Sequence, residues 1–174
     1  MRIALSGSHG TGKSTLLAAL DTDLTKVPSC TREILAIAKR NWLDPDDIQK
    51  YVLMREAVQL QDDNIIMDRC LLDGLAYTYY LNETKNTTFV TSSCWLAKKL
   101  EPELTKLTHV VLFEPFKQVK DDGVRWTDEK SAQYIDAWIY NKVVELNIPY
   151  TVLGRYTSVV ERVRQLKEII NEYR

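Results

Sequence analysis

The segment Gly7-Ser8-His9-Gly10-Thr11-Gly12-Lys13-Ser14 constrains this chain more than any other feature, because it matches G-x-x-x-x-G-K-[ST] at every fixed position. A polyphosphate needs a ring of backbone N–H donors, and glycines let the chain wrap close without a side-chain clash. Such a loop needs a strand before it and a helix after it, whose N-terminus adds a positive dipole end. Both are legible. Ile3-Ala4-Leu5 is a short apolar strand, and Leu16, Leu17, Leu20 and Leu24 recur at helical spacing beyond Lys13. The expected phosphate contacts run from Gly7 through Ser8, His9, Gly10, Thr11, Gly12, Lys13 and Ser14 to Thr15. Lys13 is expected to reach the β- and γ-phosphates, and the Ser14 hydroxyl to meet Mg²⁺. ATP and Mg²⁺ are therefore the expected cofactors.

The rest of the chain alternates strand and helix. Val27–Cys30 reads as a second strand, Asn64–Asp68 as a buried third, His109–Phe113 as a fourth and Tyr150–Leu153 as a fifth. Asp44-Pro45-Asp46-Asp47 predicts a helix start, with a cap, a proline at the first helical position and acids at the positive dipole end. Ile48, Tyr51, Val52 and Val58 are expected along its buried side. Ile135, Ile139, Val143 and Leu146 mark another helix after the cap candidate Thr127. Ser158-x-x-Glu161 is a capping-box pattern before the stripe Val159, Val163, Leu166 and Ile170. Strands separated by helices imply parallel pairing with right-handed crossovers. The expected fold is a three-layer α/β/α domain over residues 1–174, with ligands at the carboxyl ends of a five-stranded parallel sheet.

Composition narrows the function. A formal net charge of −1 gives no global attraction to nucleic acid or to an anionic membrane. Cys30, Cys70 and Cys94 are scattered, with no C-x-x-C pair, which suggests neither zinc nor a disulfide framework. No secretory signal or membrane-spanning run is visible, so a cytoplasmic protein without membrane association is expected. An acid at the end of the third strand, Asp68, is followed by Arg69. Beside a phosphate loop such an acid orders the magnesium shell or acts as general base.

At these residues the chain resembles P-loop nucleoside and nucleotide kinases. Thr31-Arg32-Glu33 resembles the T-R-E segment after the second strand of thymidylate kinases, and Asp68-Arg69-x-x-x-Asp73-x-x-Ala76-Tyr77 resembles their D-R-Y-x-x-S-x-x-A-Y. Cys70 and Asp73 replace the tyrosine and serine, and Ile34-Leu35-Ala36 stands where thymidylate kinases carry P-G-G. The stretch Ser6–Thr15 and the segment Asp68-Arg69-x-x-x-Asp73-x-x-Ala76-Tyr77 are also similar to ribosylnicotinamide-kinase-like ATPases of phages and bacteria, a group that fits Asp122-Gly123-Val124-Arg125 better. The resemblance implies an acceptor held between Arg32, Glu33, Arg69 and the helix carrying Tyr77, with Asp68 or Glu33 as base. It also implies a lid over about residues 117–127 whose Arg125 neutralises the transferring phosphoryl group. Related enzymes are often dimers. The expected activity is transfer of the γ-phosphoryl group to a nucleoside-like small molecule. The alternatives are a kinase acting on a hydroxymethylated base or an end in DNA, and an ATPase or GTPase switch. The guanine-reading N-K-x-D pattern is missing, since Asn141-Lys142-Val143-Val144 lacks the acid.

Overall fold

Alternation along the strands decides how this chain layers. In a strand, successive side chains face opposite sides. Ile3 and Leu5 enter one apolar cluster and Ala4 the other; Ile66 opposes Ile65 and Met67, and Val111 and Phe113 oppose Val110 and Leu112. Each central strand is thus apolar on both faces, which suits a parallel sheet covered by helices on both sides. A computed structural model describes residues 1–41, 44–85, 91–114 and 129–174; the side chains of residues 32, 40, 41, 85 and 91 lie outside the description.

Five strands, β1 (Arg2–Ser6), β2 (Thr25–Val27), β3 (Ile65–Asp68), β4 (His109–Phe113) and β5 (Tyr150–Leu153), form a sheet of order β2-β3-β1-β4-β5. Every pairing is parallel. Helices α1 (Lys13–Ala19) and α7 (Val159–Glu172) supply Leu16, Leu17, Leu166, Ile169 and Ile170 to one core. On the other face lie α3 (Pro45–Gln59), α4 (Leu71–Lys85), α5 (Thr91–Leu100) and α6 (Glu129–Glu145), which supply Leu53, Leu72, Ala97 and Ile139. Helix α2 (Thr31–Asn41) follows β2. The order reverses beside β1, so the crevice at the carboxyl ends of β1 and β3 is where a ligand belongs.

Two of the capping signals read correctly, and the third, Thr127, lies outside the described residues. The Asp44 carboxylate accepts from the Asp47 amide at 2.8 Å, and Ser158 Oγ accepts from the Glu161 amide at 3.2 Å. Two readings need correction. The second strand lies at Thr25–Val27, before Pro28, rather than at Val27–Cys30, because proline has no N–H for the ladder. On α3, Tyr51 and Val58 are exposed, and the buried face is Gln49, Val52, Leu53, Glu56 and Ala57. A hydropathy pattern cannot choose a face that contains a buried glutamine and a buried glutamate. No helix among the described residues is long and apolar enough to cross a membrane.

Candidate active site

The phosphate loop is gripped by three buried or half-buried side chains, each from a different helix. Asp73, in the first turn of α4, accepts from Ser6 Oγ at 2.7 Å and Gly7 N at 3.0 Å, and also from Cys70 N at 3.2 Å. Asp136 on α6 accepts from Ser8 N at 2.6 Å and Ser8 Oγ at 2.8 Å. Arg162 on α7 donates to Thr11 O at 2.9 Å and Gly154 O at 2.7 Å. Gly12 begins α1 with φ at 90°, a left-handed conformation, and a Cβ there would lie 3.2 Å from Arg162 Nη1. Both facts favour glycine at this position.

Lys13 is buried, and its Nζ donates to Gly7 O at 2.8 Å, Ser8 O at 2.6 Å and Thr11 Oγ1 at 3.0 Å. Burial first, and then the Arg69 guanidinium, push its pKa down to about 7, against the pull of Asp73, Asp68 and Asp136. Ser14 Oγ donates a very short hydrogen bond to Asp68 Oδ2. A hydroxyl beside a carboxylate at the loop is a pair of hard oxygen ligands, the donor set that Mg²⁺ takes alongside phosphate oxygens.

Arg69 has φ at 72°, rare for a residue with a Cβ and of the kind that accumulates at functional sites. Its amide donates to Leu5 O at 2.9 Å, its Nη2 lies 2.8 Å from His9 Nδ1, and its guanidinium sits over the Tyr77 ring at 5.1 Å. Burial works against the Arg69 charge, but Tyr77, Asp73 and Asp68 outweigh it and hold the group firmly protonated.

Two cavities meet at this arginine. The first, of about 440 Å³, is lined by the loop from His9 to Thr15 together with Pro28, Ser29, Asp68 and Arg69. The second, of about 210 Å³, lies between α3 and α4 and is lined by Gln49, Val52, Glu56, Asp73, Gly74 and Tyr77 among others. His9, Thr31, Leu35 and Arg69 border both. The cavity along the loop therefore opens onto a smaller, more apolar chamber across a shared rim.

Residues 2–162 match the family described as AAA domain. This protein belongs to that AAA domain family. No curated protein matches its sequence. The AAA domain chain is similar in structure to the deoxyadenosine kinase of M. mycoides with products dCMP and dCDP bound, with a TM-score of 0.73, 17% identity and full coverage of both chains. It is also similar to the YorR protein of Bacillus subtilis in complex with phosphorylated GDP (TM-score 0.60, 14% identity, 98% of this chain and 96% of that one). The NadR protein in complex with NR gives a TM-score of 0.66 at 16% identity, over 96% of this chain and 50% of that one. At such identities the likeness establishes the fold, which is the three-layer P-loop kinase fold with a five-stranded parallel sheet.

This fold brings Gly10–Thr15, His9, Asp68 and Arg69 around one cavity and adds Tyr77 to the next. Glu33 is exposed on α2, with one carboxylate oxygen 3.9 Å from Arg55 Nη2, and lines neither cavity. Arg32 belongs to α2, and its side chain is outside the described residues. Arg125 and the lid from 117 to 127 lie outside the described residues altogether. Sequence reasoning missed Asp136 and Arg162, which sit in helical runs with nothing local to separate them from solvated charges. It noticed Asp73 only as a departure from a family pattern. The available signal was position, since Asp73 stands where a capping-box acid returns to the N-cap amide.

Proposed function

We propose that this protein is an ATP- and Mg²⁺-dependent kinase that transfers the γ-phosphoryl group to a nucleoside-like small molecule. The observation that carries the reading is the shared rim, where a loop built for polyphosphate and a second chamber meet at Arg69 and His9. In-line transfer needs the donor and acceptor in adjoining pockets with little freedom between them.

The amides of the loop and the N-terminus of α1 would hold the phosphates. Lys13 would leave its carbonyl partners for the β- and γ-phosphates and carry a full charge there. Ser14 and Asp68 would hold the metal, which when bound neutralises charge on the phosphate oxygens. Asp68, through the oxygen not bonded to Ser14, takes the acceptor hydroxyl's proton. Glu33 is the second acid proposed for this role, but Asp68 is the one that lines the cavity. Arg69, with Arg32 and Tyr77, orients the acceptor, and Arg125 on the lid meets the charge of the transferring group. The M. mycoides deoxyadenosine kinase and NadR, one with nucleotide products and the other with NR, make a nucleoside acceptor the reading to test first.

The test is ATP turnover against nucleosides, nucleoside monophosphates, ribosylnicotinamide and DNA bearing hydroxymethylated pyrimidines. Acceptor-dependent ADP release is expected with a small molecule. Lys13→Ala should abolish it, and Asp68→Asn should lose at least about a hundredfold, the scale of a lost general base. ATP consumption that no acceptor changes would refute the kinase reading.

A further inference from the structure

Glu56 is a carboxyl group that the fold buries in the second chamber and does not use. It is 2% exposed, and its Oε2 has no hydrogen-bond partner among the described residues. The place it occupies exists only because residue 74 is glycine: a Cβ on Gly74 would lie 2.2 Å from Glu56 Oε2. The nearby Gly74 amide is already donated to Cys70 O at 3.2 Å. Buried polar groups are almost always partnered, so this orphan calls for an explanation, and the residue that carries it lines the second chamber.

Its protonation follows from its surroundings. A bare carboxylate in an apolar interior costs far more than the neutral acid. Asp73 and Gly74 face it from α4, with Arg69 before them; the Cys70 and Cys30 thiols are close enough to feel its charge. Burial and then Asp73 raise its pKa well above the carboxylate range, against Arg69 and the Gly74 amide. The neighbouring Gln49 is fixed in orientation. Its Nε2 donates to Gly74 O at 3.0 Å and to Thr78 Oγ1 at 2.8 Å, and a backbone carbonyl can only accept. Its Oε1 is therefore the atom left to receive a donor from the chamber.

We propose that Glu56 selects the acceptor: as a neutral acid it donates its O–H and accepts through its other oxygen, pairing with a base edge that carries a ring-nitrogen acceptor beside an amino group. Adenine and cytosine carry that edge. The amino group's further hydrogen, or a second donor, satisfies Gln49 Oε1. Thymine and uracil present carbonyl oxygens flanking one N–H, and a second carbonyl against an acceptor-only Gln49 is repelled. The volume of about 210 Å³ suits a ring system rather than a whole nucleotide. This inference rests on the nucleoside-kinase reading, but it is tested by binding alone.

Affinities of deoxyadenosine, deoxycytidine and thymidine are measured by calorimetry without ATP, so loss of phosphoryl transfer does not affect the result. Deoxyadenosine or deoxycytidine should bind at least about tenfold tighter than thymidine, the scale of one unsatisfied buried polar group. Glu56→Gln, which keeps a donor and an acceptor, should stay within a few-fold of the native protein. Glu56→Leu should bind at least tenfold more weakly while melting no lower, because it removes an unpartnered polar group. Replacing the ring nitrogen by C–H (1-deaza-deoxyadenosine or 3-deaza-deoxycytidine) should weaken binding to the native protein and leave Glu56→Leu unmoved, a coupling that a merely structural glutamate does not produce. If Glu56→Leu fails to fold, Gly74→Ala, which displaces the carboxyl, should show the same loss. Unchanged affinity in the Leu variant, an equal deaza penalty in both proteins, a preference for thymidine, or no nucleoside binding would each overturn the assignment. The last result would leave the Lys13→Ala turnover test of the kinase reading standing by itself.

Discussion

Replacing Asp73 by alanine should unfasten the start of the phosphate loop while leaving Lys13, Ser14 and Asp68 in place. Asp73 is 1% exposed and accepts from three donors, Ser6 Oγ, Gly7 N and Cys70 N. Each donor left bare in the interior costs about 1–2 kcal/mol, so the three together cost about 3–6 kcal/mol if they lose independently. For a chain of this size, about 2–4 °C of Tm is lost per kcal/mol, which gives a fall of about 6–24 °C. The assay is thermal unfolding followed by circular dichroism, with and without ATP and Mg²⁺, beside calorimetric nucleotide affinity. Glu168→Ala, which removes one partner of an exposed ion pair with Arg164, serves as the control and should shift stability by no more than about 0.5 kcal/mol. Nucleotide affinity should fall with the Asp73 variant because the cradle must be ordered at the moment of binding. A Tm within 3 °C of the native value (about 1 kcal/mol) together with unchanged nucleotide affinity would refute the view that this carboxylate holds the loop.

Three further outcomes are expected. With Lys13 near 7 in the folded protein and 10.5 as the ordinary value, the unfolded chain binds the extra proton between those limits, so this group makes stability rise with pH across that window. Triphosphate binding restores the charge, so calorimetry in buffers of different ionisation enthalpy should show proton uptake near one at pH 8 and little at pH 6; none at pH 8 would be a refutation. Asp136→Ala should weaken nucleotide binding several-fold by freeing Ser8, and affinity equal to the native value would remove its positioning role. Asp44→Ala should destabilise by about 1 kcal/mol through the lost cap on α3, read as a shift in denaturation midpoint without change in slope.

The sheet was legible because its signals are local: short apolar runs, Gly7–Ser14, and caps at Asp44 and Ser158 each declare themselves within a few residues. Lys13, Ser14, Asp68 and Arg69 were each picked out by an equally local motif, and they line one cavity. What sequence left dark depends on partners far apart in the chain. Arg162 reaches a carbonyl at Thr11, and Asp136 reaches Ser8; neither side chain differs in its local sequence from an ordinary surface charge. The buried side of α3 was misread because Gln49 and Glu56 face inward while Tyr51 and Val58 face out, which inverts the usual assignment by polarity. Such an inversion is a mark of a lined chamber rather than of a packed core.

The first turn of α4 is a common datum for both halves of the site. Asp73 fixes the start of the loop, and the next residue, Gly74, forms the floor against which Glu56 rests. Under the proposed function, donor and acceptor would thus be surveyed from adjacent peptide units, and an error at one would be an error at the other. The opposite wall, on α3, lines the small chamber and contributes no residue to the lining of the larger one. A redesign that retunes substrate choice therefore has a place to work, at Gln49, Val52 and Glu56, where the chemistry's alignment is left undisturbed; the same ambition applied to α4 would move the ruler along with the object being measured.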